Sequence, residues 1–204
     1  YGPVSKCYFT IGGILVGNGS ATSPSIAGTN FSTTGLYFAS GPKLLAAVNG
    51  VRMLELGTNT LYIGTTAGGS ITTGIQNILI GNVAGRFLTS GSDNICIGEQ
   101  TLKNVLATST SENVLIGTTC GASMTTADHA TLIGYGTGAA LTQGQQNTMV
   151  GHQCGKATTV GGSNAFFGRA VFNDNTTGGF NTGVGHATGF DYTTGSSNTF
   201  AGNQ

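Results

Sequence analysis

A spacing of seventeen residues governs most of this chain. From residue 60 it divides into lines that begin at Thr60, Asn77, Asn94, Asn113, Ala130, Asn147, Asn164, Asn181 and Asn198, and every interval is 17 residues except one of 19. Eight full lines and the start of a ninth are present. Counting from the first residue of each line, position 5 is glycine in all nine: Gly64, Gly81, Gly98, Gly117, Gly134, Gly151, Gly168, Gly185 and Gly202. Such a position needs positive φ or the close approach of another segment. Position 1 is asparagine in all lines but the first and fifth, position 8 is small, position 13 is Thr in seven of the eight full lines, and positions 9 and 15 are usually Gly. Each line therefore reads as a strand, a Gly turn, a second short strand and a Thr-Gly turn.

A unit this short cannot bury an apolar face alone. Stacked as rungs about 4.7 to 4.9 Å apart, successive units pair their strands and share one continuous core. The expected fold is all-β: a β-solenoid over residues 60–204, preceded by a small β module over residues 1–59. Equal positions then form columns, with Asn77, Asn94, Asn113, Asn147, Asn164, Asn181 and Asn198 as a side-chain ladder. Like charges stacked at that spacing would repel. That accounts for a composition in which only 7% of residues are charged, seven Lys and Arg against seven Asp and Glu. Net charge zero without a basic cluster excludes a nucleic-acid partner, and no apolar run approaches a membrane span. The start lacks a Met and a leader-like segment, which suggests a fragment or processed product.

The strand also speaks about partners. Side chains at positions 2 and 4 point one way and position 3 the other. Position 3 holds Tyr62, Leu79, Cys96, Leu115, Leu132, Met149 and Phe166, and position 4 holds Ile63, Ile80, Ile97, Ile116, Ile133, Val150 and Phe167. A strand apolar on both faces needs cover on both. One rung has too few apolar residues to supply the second cover, so other copies of the chain are expected to provide it.

Residues 1–59 follow another pattern. Strand-like stretches over residues 7–16 and 35–39 flank a Gly/Ser/Thr-rich loop over residues 17–34, and Asn49-Gly50 between two apolar runs predicts a two-residue hairpin.

The lines NAFFGRAVFNDNTTGGFNTGVGHATGFDYTTG resemble the NTAxGxxAL…NTTGxx repeats of bacteriophage tail fibres, and are similar to the NxxxIG repeats in the heads of trimeric autotransporter adhesins. The stretch PSIAGTNFSTTGLYFASGPKLLAAVNGVRMLEL resembles the module that precedes such repeats in phage fibres. Together the resemblance covers about residues 20–204. It implies a homotrimeric, left-handed β-roll or triple β-helix in an extended virion fibre, partnered by other tail proteins and by a host cell-surface polysaccharide or protein. In many such fibres a self-cleaving chaperone domain follows the repeats; nothing recognisable as that domain is present here.

Signatures of the common hydrolases, metal enzymes and nucleotide binders are missing, so no catalytic residue and no cofactor is expected. GYGTG at residues 134–138 has the wrong spacing for a dinucleotide loop and reads as turn glycines. His152 and His186 share position 6 with Arg169 between them. In a trimer they would form imidazole rings near an axis, a candidate metal or anion site, against the plainer reading of a polar turn. Cys120 and Cys154 share position 8 two rungs apart, about 9.5 Å, beyond the roughly 7 Å reach of a disulfide, so free thiols are expected within a chain. Aromatics crowd the last third, where core filling competes with surface binding; Phe180 and Phe190 are the candidates for the latter. Asn18, Asn30 and Asn175 begin sequons to which no function is attached.

The function these features suggest is a structural and adhesive fibre of a phage tail, located in the virion, with the head of a bacterial surface adhesin as the alternative. Two solenoids of other classes fit less well. An acyltransferase β-helix needs a six-residue period. An ice-binding face needs flat TxT alternation, whereas here the threonine at position 13 is often followed directly by Thr or Ser and then a Gly turn.

Overall fold

The computed structural model describes residues 8–10, 13–15, 18–28, 30–39, 43–57, 59–104 and 109–204. Among the described residues six strands precede the repeats: β1 (Tyr8–Thr10), β2 (Gly13–Leu15), β3 (Ile26–Gly28), β4 (Phe31–Phe38), β5 (Leu44–Val48) and β6 (Val51–Gly57). Nine follow, one per line: β7 (Thr60–Ile63), β8 (Ile78–Ile80), β9 (Ile95–Ile97), β10 (Val114–Ile116), β11 (Thr131–Ile133), β12 (Thr148–Val150), β13 (Ala165–Arg169), β14 (Thr182–His186) and β15 (Thr199–Asn203). The chain is all-β, a solenoid of about eight turns with rungs of about 17 residues.

Strands β7 to β15 pair in parallel and in sequence order, so each position meets its equivalent in the next rung: Leu115 faces Cys96 on one side and Leu132 on the other. Strands β3 to β7 form an antiparallel meander on the same sheet. Between β5 and β6, Asn49 (φ 50) and Gly50 (φ 75) both adopt the left-handed backbone that a tight hairpin turn requires. Two expectations for the first 59 residues are corrected. The stretch over residues 7–16 is not one strand, because its described residues form the antiparallel pair β1 and β2; residues 7, 11, 12 and 16 lie outside the described residues. The expected loop over residues 17–34 contains β3 and the start of β4, since small polar residues still serve an edge of the meander.

The second short strand of each rung is also corrected. After position 5 the backbone takes positive φ at positions 7, 9 and 17, as at Thr66, Gly68 and Gln76. Alternating left-handed residues prevent an extended run. The amides nonetheless bond upward, Gly68 N–H to the Ala84 carbonyl at 3.0 Å and Ser70 N–H to the Arg86 carbonyl at 3.0 Å. Rungs are thus knit together around their circumference without a second sheet.

Position 5 explains its glycine twice. Gly151 sits at φ 143, a region closed to other residues, and a Cβ there would run into the carbonyl of Gly168 in the next rung. The core between rungs is built from position 3 with positions 8, 9 and 12: Leu79, Leu88, Leu115, Met124, Leu132, Leu141, Met149 and Phe166 are all fully buried. Near the C-terminal end, Phe172 takes position 9 and stacks on Phe166 with ring centroids 4.6 Å apart. Gly183 at position 3 of the next rung leaves the space this ring fills. Beneath the first rung, buried Glu55 accepts hydrogen bonds from Lys43 Nζ (2.7 Å) and from Arg52, which also donates to the Ala67 carbonyl at 2.9 Å. This polar cluster lies beside the first rung, where it borders Tyr62 and Ile71 at the N-terminal end of the core.

Candidate self-association face

The parallel sheet turns position 3 inward and positions 2 and 4 outward. Inward residues from Leu79 to Phe166 have no exposure, whereas Ile63 and Phe167 are each 41% exposed and Val184 48%. Ile80, Ile97, Ile116, Ile133 and Val150 between them are half-buried. The outcome is a mainly aliphatic column of side chains one sheet long, on a surface where no charged residue occupies position 2 or 4. No element among the described residues folds back over it. Contiguous exposed apolar patches mark interaction surfaces, which makes this column the candidate face.

The asparagine ladder ties the strands of this face in register. Asn77 Oδ1 accepts both the backbone N–H and the side-chain amide of Asn94 at 3.0 Å, and Asn94 Oδ1 accepts the same two groups of Asn113 at 3.3 and 3.0 Å. Each of these amides also donates to a carbonyl late in its own line, as Asn77 does to Gly91 at 2.9 Å and Asn94 to Thr110 at 2.8 Å. From Asn77 to Asn181 the asparagines are buried and their amides are partnered, so the strand preceded by each Asn cannot slip in register. The pattern breaks once, where Ala130 N–H finds Asn113 Oδ1 at 2.8 Å but offers no oxygen to the Asn147 N–H.

No family model, curated protein or solved structure matches the chain. The geometry must therefore speak for the candidate residues. His152 is exposed and stacks on Tyr135, centroids 5.4 Å apart. His186 lies between Arg169 Nη1 at 2.7 Å and Asn203 Oδ1 at 3.0 Å. The two imidazoles remain two rungs apart, each bound into its own column, and a ring of them is a matter of neighbouring chains. Among the described residues no three His, Cys, Asp or Glu side chains gather around a common point. No helix of the described residues is long and apolar enough to cross a membrane.

Cys96, Cys120 and Cys154 are free and buried, with Cys120 Sγ donating to the Leu132 carbonyl at 3.1 Å. Cys7 lies outside the described residues. Burial pushes the thiols up from 9.0, Cys120 and Cys154 to about 12 and Cys96 further. Threonines at position 13 turn their hydroxyls to the next rung, Thr142 to the Thr159 carbonyl at 3.0 Å and Thr159 to the Thr176 carbonyl at 3.1 Å. Asn175, which begins a sequon, is fully buried.

The aromatic residues divide. Phe166, Phe172, Tyr192 and Phe200 pack together as core filling. Phe190 is half-buried at the C-terminal end of the solenoid beside Asp191 and Tyr192. Phe180 is 70% exposed and belongs to no core cluster. Sequence reasoning missed two features: the Lys43–Glu55–Arg52 cluster, signalled only by one acid among the apolar residues of RMLEL, and the surroundings of Phe180, signalled by the three glutamines of TQGQQ.

Proposed function

We propose that the chain is a structural and adhesive fibre protein, a homotrimer whose solenoids pack by their position 2 and 4 faces around a common axis, in a bacteriophage tail fibre that attaches the virion to its host. The observation that carries this reading is the uncovered aliphatic column. Three copies bury three such columns against one another, and chain ends and flanks repeat threefold around the axis, so weak single contacts gain strength by simultaneous engagement. Work of this kind needs length, stiffness and presentation rather than catalysis. The head of a bacterial trimeric surface adhesin would use the same assembly and is the alternative; the neighbouring segments of the gene separate the two. Ice binding has no observation in its favour, because the position-13 hydroxyls are donated to carbonyls of the next rung.

Ile116 lies at mid-column, half-buried in the chain by itself. An Ile116→Asp substitution places three carboxylates around the proposed axis and is expected to reduce the particle in solution to single chains that keep the β-rich circular dichroism of the parent. Ile116→Ser, a milder change, is expected to weaken assembly in part. An assembly whose mass is unchanged by Ile116→Asp contradicts the proposed interface.

A further inference from the structure

Phe180 is at odds with its position. It sits at position 17 of the seventh rung with φ 57, where the other full rungs carry Gln, Asp, Glu, His or Ser. A left-handed backbone disfavours a bulky residue, and a ring 70% exposed gains little from burial. Nor does it stack on any other aromatic ring among the described residues. The fold has no use for it.

The ring walls an open groove of roughly 470 Å³ that spans the fifth to eighth rungs, a length of about 14 Å at the spacing of stacked strands. Gln143, Gln145, Gln146, Ser163 and Thr177 line it, while Gly162 and Gly179 contribute only backbone. Ser163 Oγ and Gln146 Oε1 lie 3.4 Å apart. Gln143, Gln145 and Thr177 make no side-chain hydrogen bond within the described residues, which leaves two whole amides and a hydroxyl to serve a ligand. The charge of this flank changes along the solenoid. The closing turns of the second, third and fourth rungs carry Asp93, Glu112 and Asp128, and those of the fifth to eighth carry no charged residue.

These features select the ligand. An apolar surface, a second copy of the chain included, would cover the ring but strand the amides without partners. An ionic ligand would find no counter-charge. A molecule with a flat C–H face and many hydroxyls satisfies both the ring and the amides. We propose that this groove binds a neutral glycan, one sugar face stacked on Phe180 and its hydroxyls bonded to the side-chain amides of Gln143 and Gln145. This deepens the attachment reading by naming the ligand class, yet all the lining residues lie in one chain, so the test does not depend on how many chains assemble.

The full chain is to be screened by saturation-transfer NMR against maltotriose, cellotriose, mannotriose and N,N′,N″-triacetylchitotriose, with oligogalacturonate and oligosialic acid as acidic counterparts. Binding of at least one neutral member is expected, weakened at least tenfold by Phe180→Ala and by Gln143→Ala with Gln145→Ala, and held within about threefold by Phe180→Trp, with the mass in solution unchanged in all. The proposal is overturned if no neutral member binds, if the acidic members bind better, or if Phe180→Ala binds as the parent does. A Phe180→Ala protein that loses its assembly overturns it too, assigning the ring to an interface between copies; a parent that is a single chain yet binds glycan through Phe180 overturns the trimer and leaves the groove standing.

Discussion

At the scale of single residues, the backbone takes conformations that only the stack makes tolerable. Thr66, Val83 and Thr119 occupy position 7 with φ of 61, 65 and 56, where β-branched residues are rarely found. Each costs on the order of 1–3 kcal/mol, and the hydrogen bonds from rung to rung over-determine the geometry. The glycine column at position 5 was legible because only glycine serves there. The left-handed turn at position 7 was not, since its Thr, Val and Gln carry no sign of it. The buried thiols give a prediction at this scale. In the unfolded chain they ionise near 9.0, whereas in the folded chain Cys120 and Cys154 hold their protons to about 12. Stability is therefore full below about pH 9 and falls as pH rises toward 12, because the unfolded chain loses protons that the folded chain keeps. Denaturant midpoints are expected to be level from pH 7 to 8.5 and to fall steadily above pH 9; midpoints level to pH 11 would contradict the burial. Mass mapping after brief treatment with a thiol reagent at pH 8 should find Cys96, Cys120 and Cys154 unmodified.

At the scale of the rung, the period of 17 and the asparagine ladder could be read directly, because a stacked strand repeats both its backbone pairing and its side-chain hydrogen bonds. The single interval of 19 fits the same scheme: Thr110 takes the place of Gly91 as acceptor of the ladder amide, Asn94 to Thr110 where Asn77 bonds Gly91. What the period did not reveal is how the chain travels from position 6 to position 12, which depends on φ and not on polarity. The break at Ala130 offers a direct check of the ladder. An asparagine there would accept the Asn147 N–H and donate to the Gly144 carbonyl, which Asn147 now reaches at 3.0 Å. Ala130→Asn is expected to stabilise the fold by about 1 kcal/mol, the usual net worth of a buried hydrogen bond. Urea denaturation measures this; a variant less stable than the parent would mean that the column at Ala130 is too tight for an amide.

At the scale of the whole molecule, the two sides of one strand have different fates. The inner residues Leu79, Leu115 and Leu132 are sealed within the chain, and the outer residues Ile63, Phe167 and Val184 are each nearly half exposed. Apolar character on both faces was visible in the sequence. Phe180 and Phe190 were singled out together as surface candidates, but the sequence did not separate them: Phe180 is 70% exposed, while Phe190 is half-buried at the end of the solenoid. The proposed assembly would cover the exposed column of each chain with other copies. The most direct test is the mass of the native particle by sedimentation equilibrium. Three chains per particle across the measured concentrations is the expected result. A particle of one chain, its outer column left in water, would contradict the account.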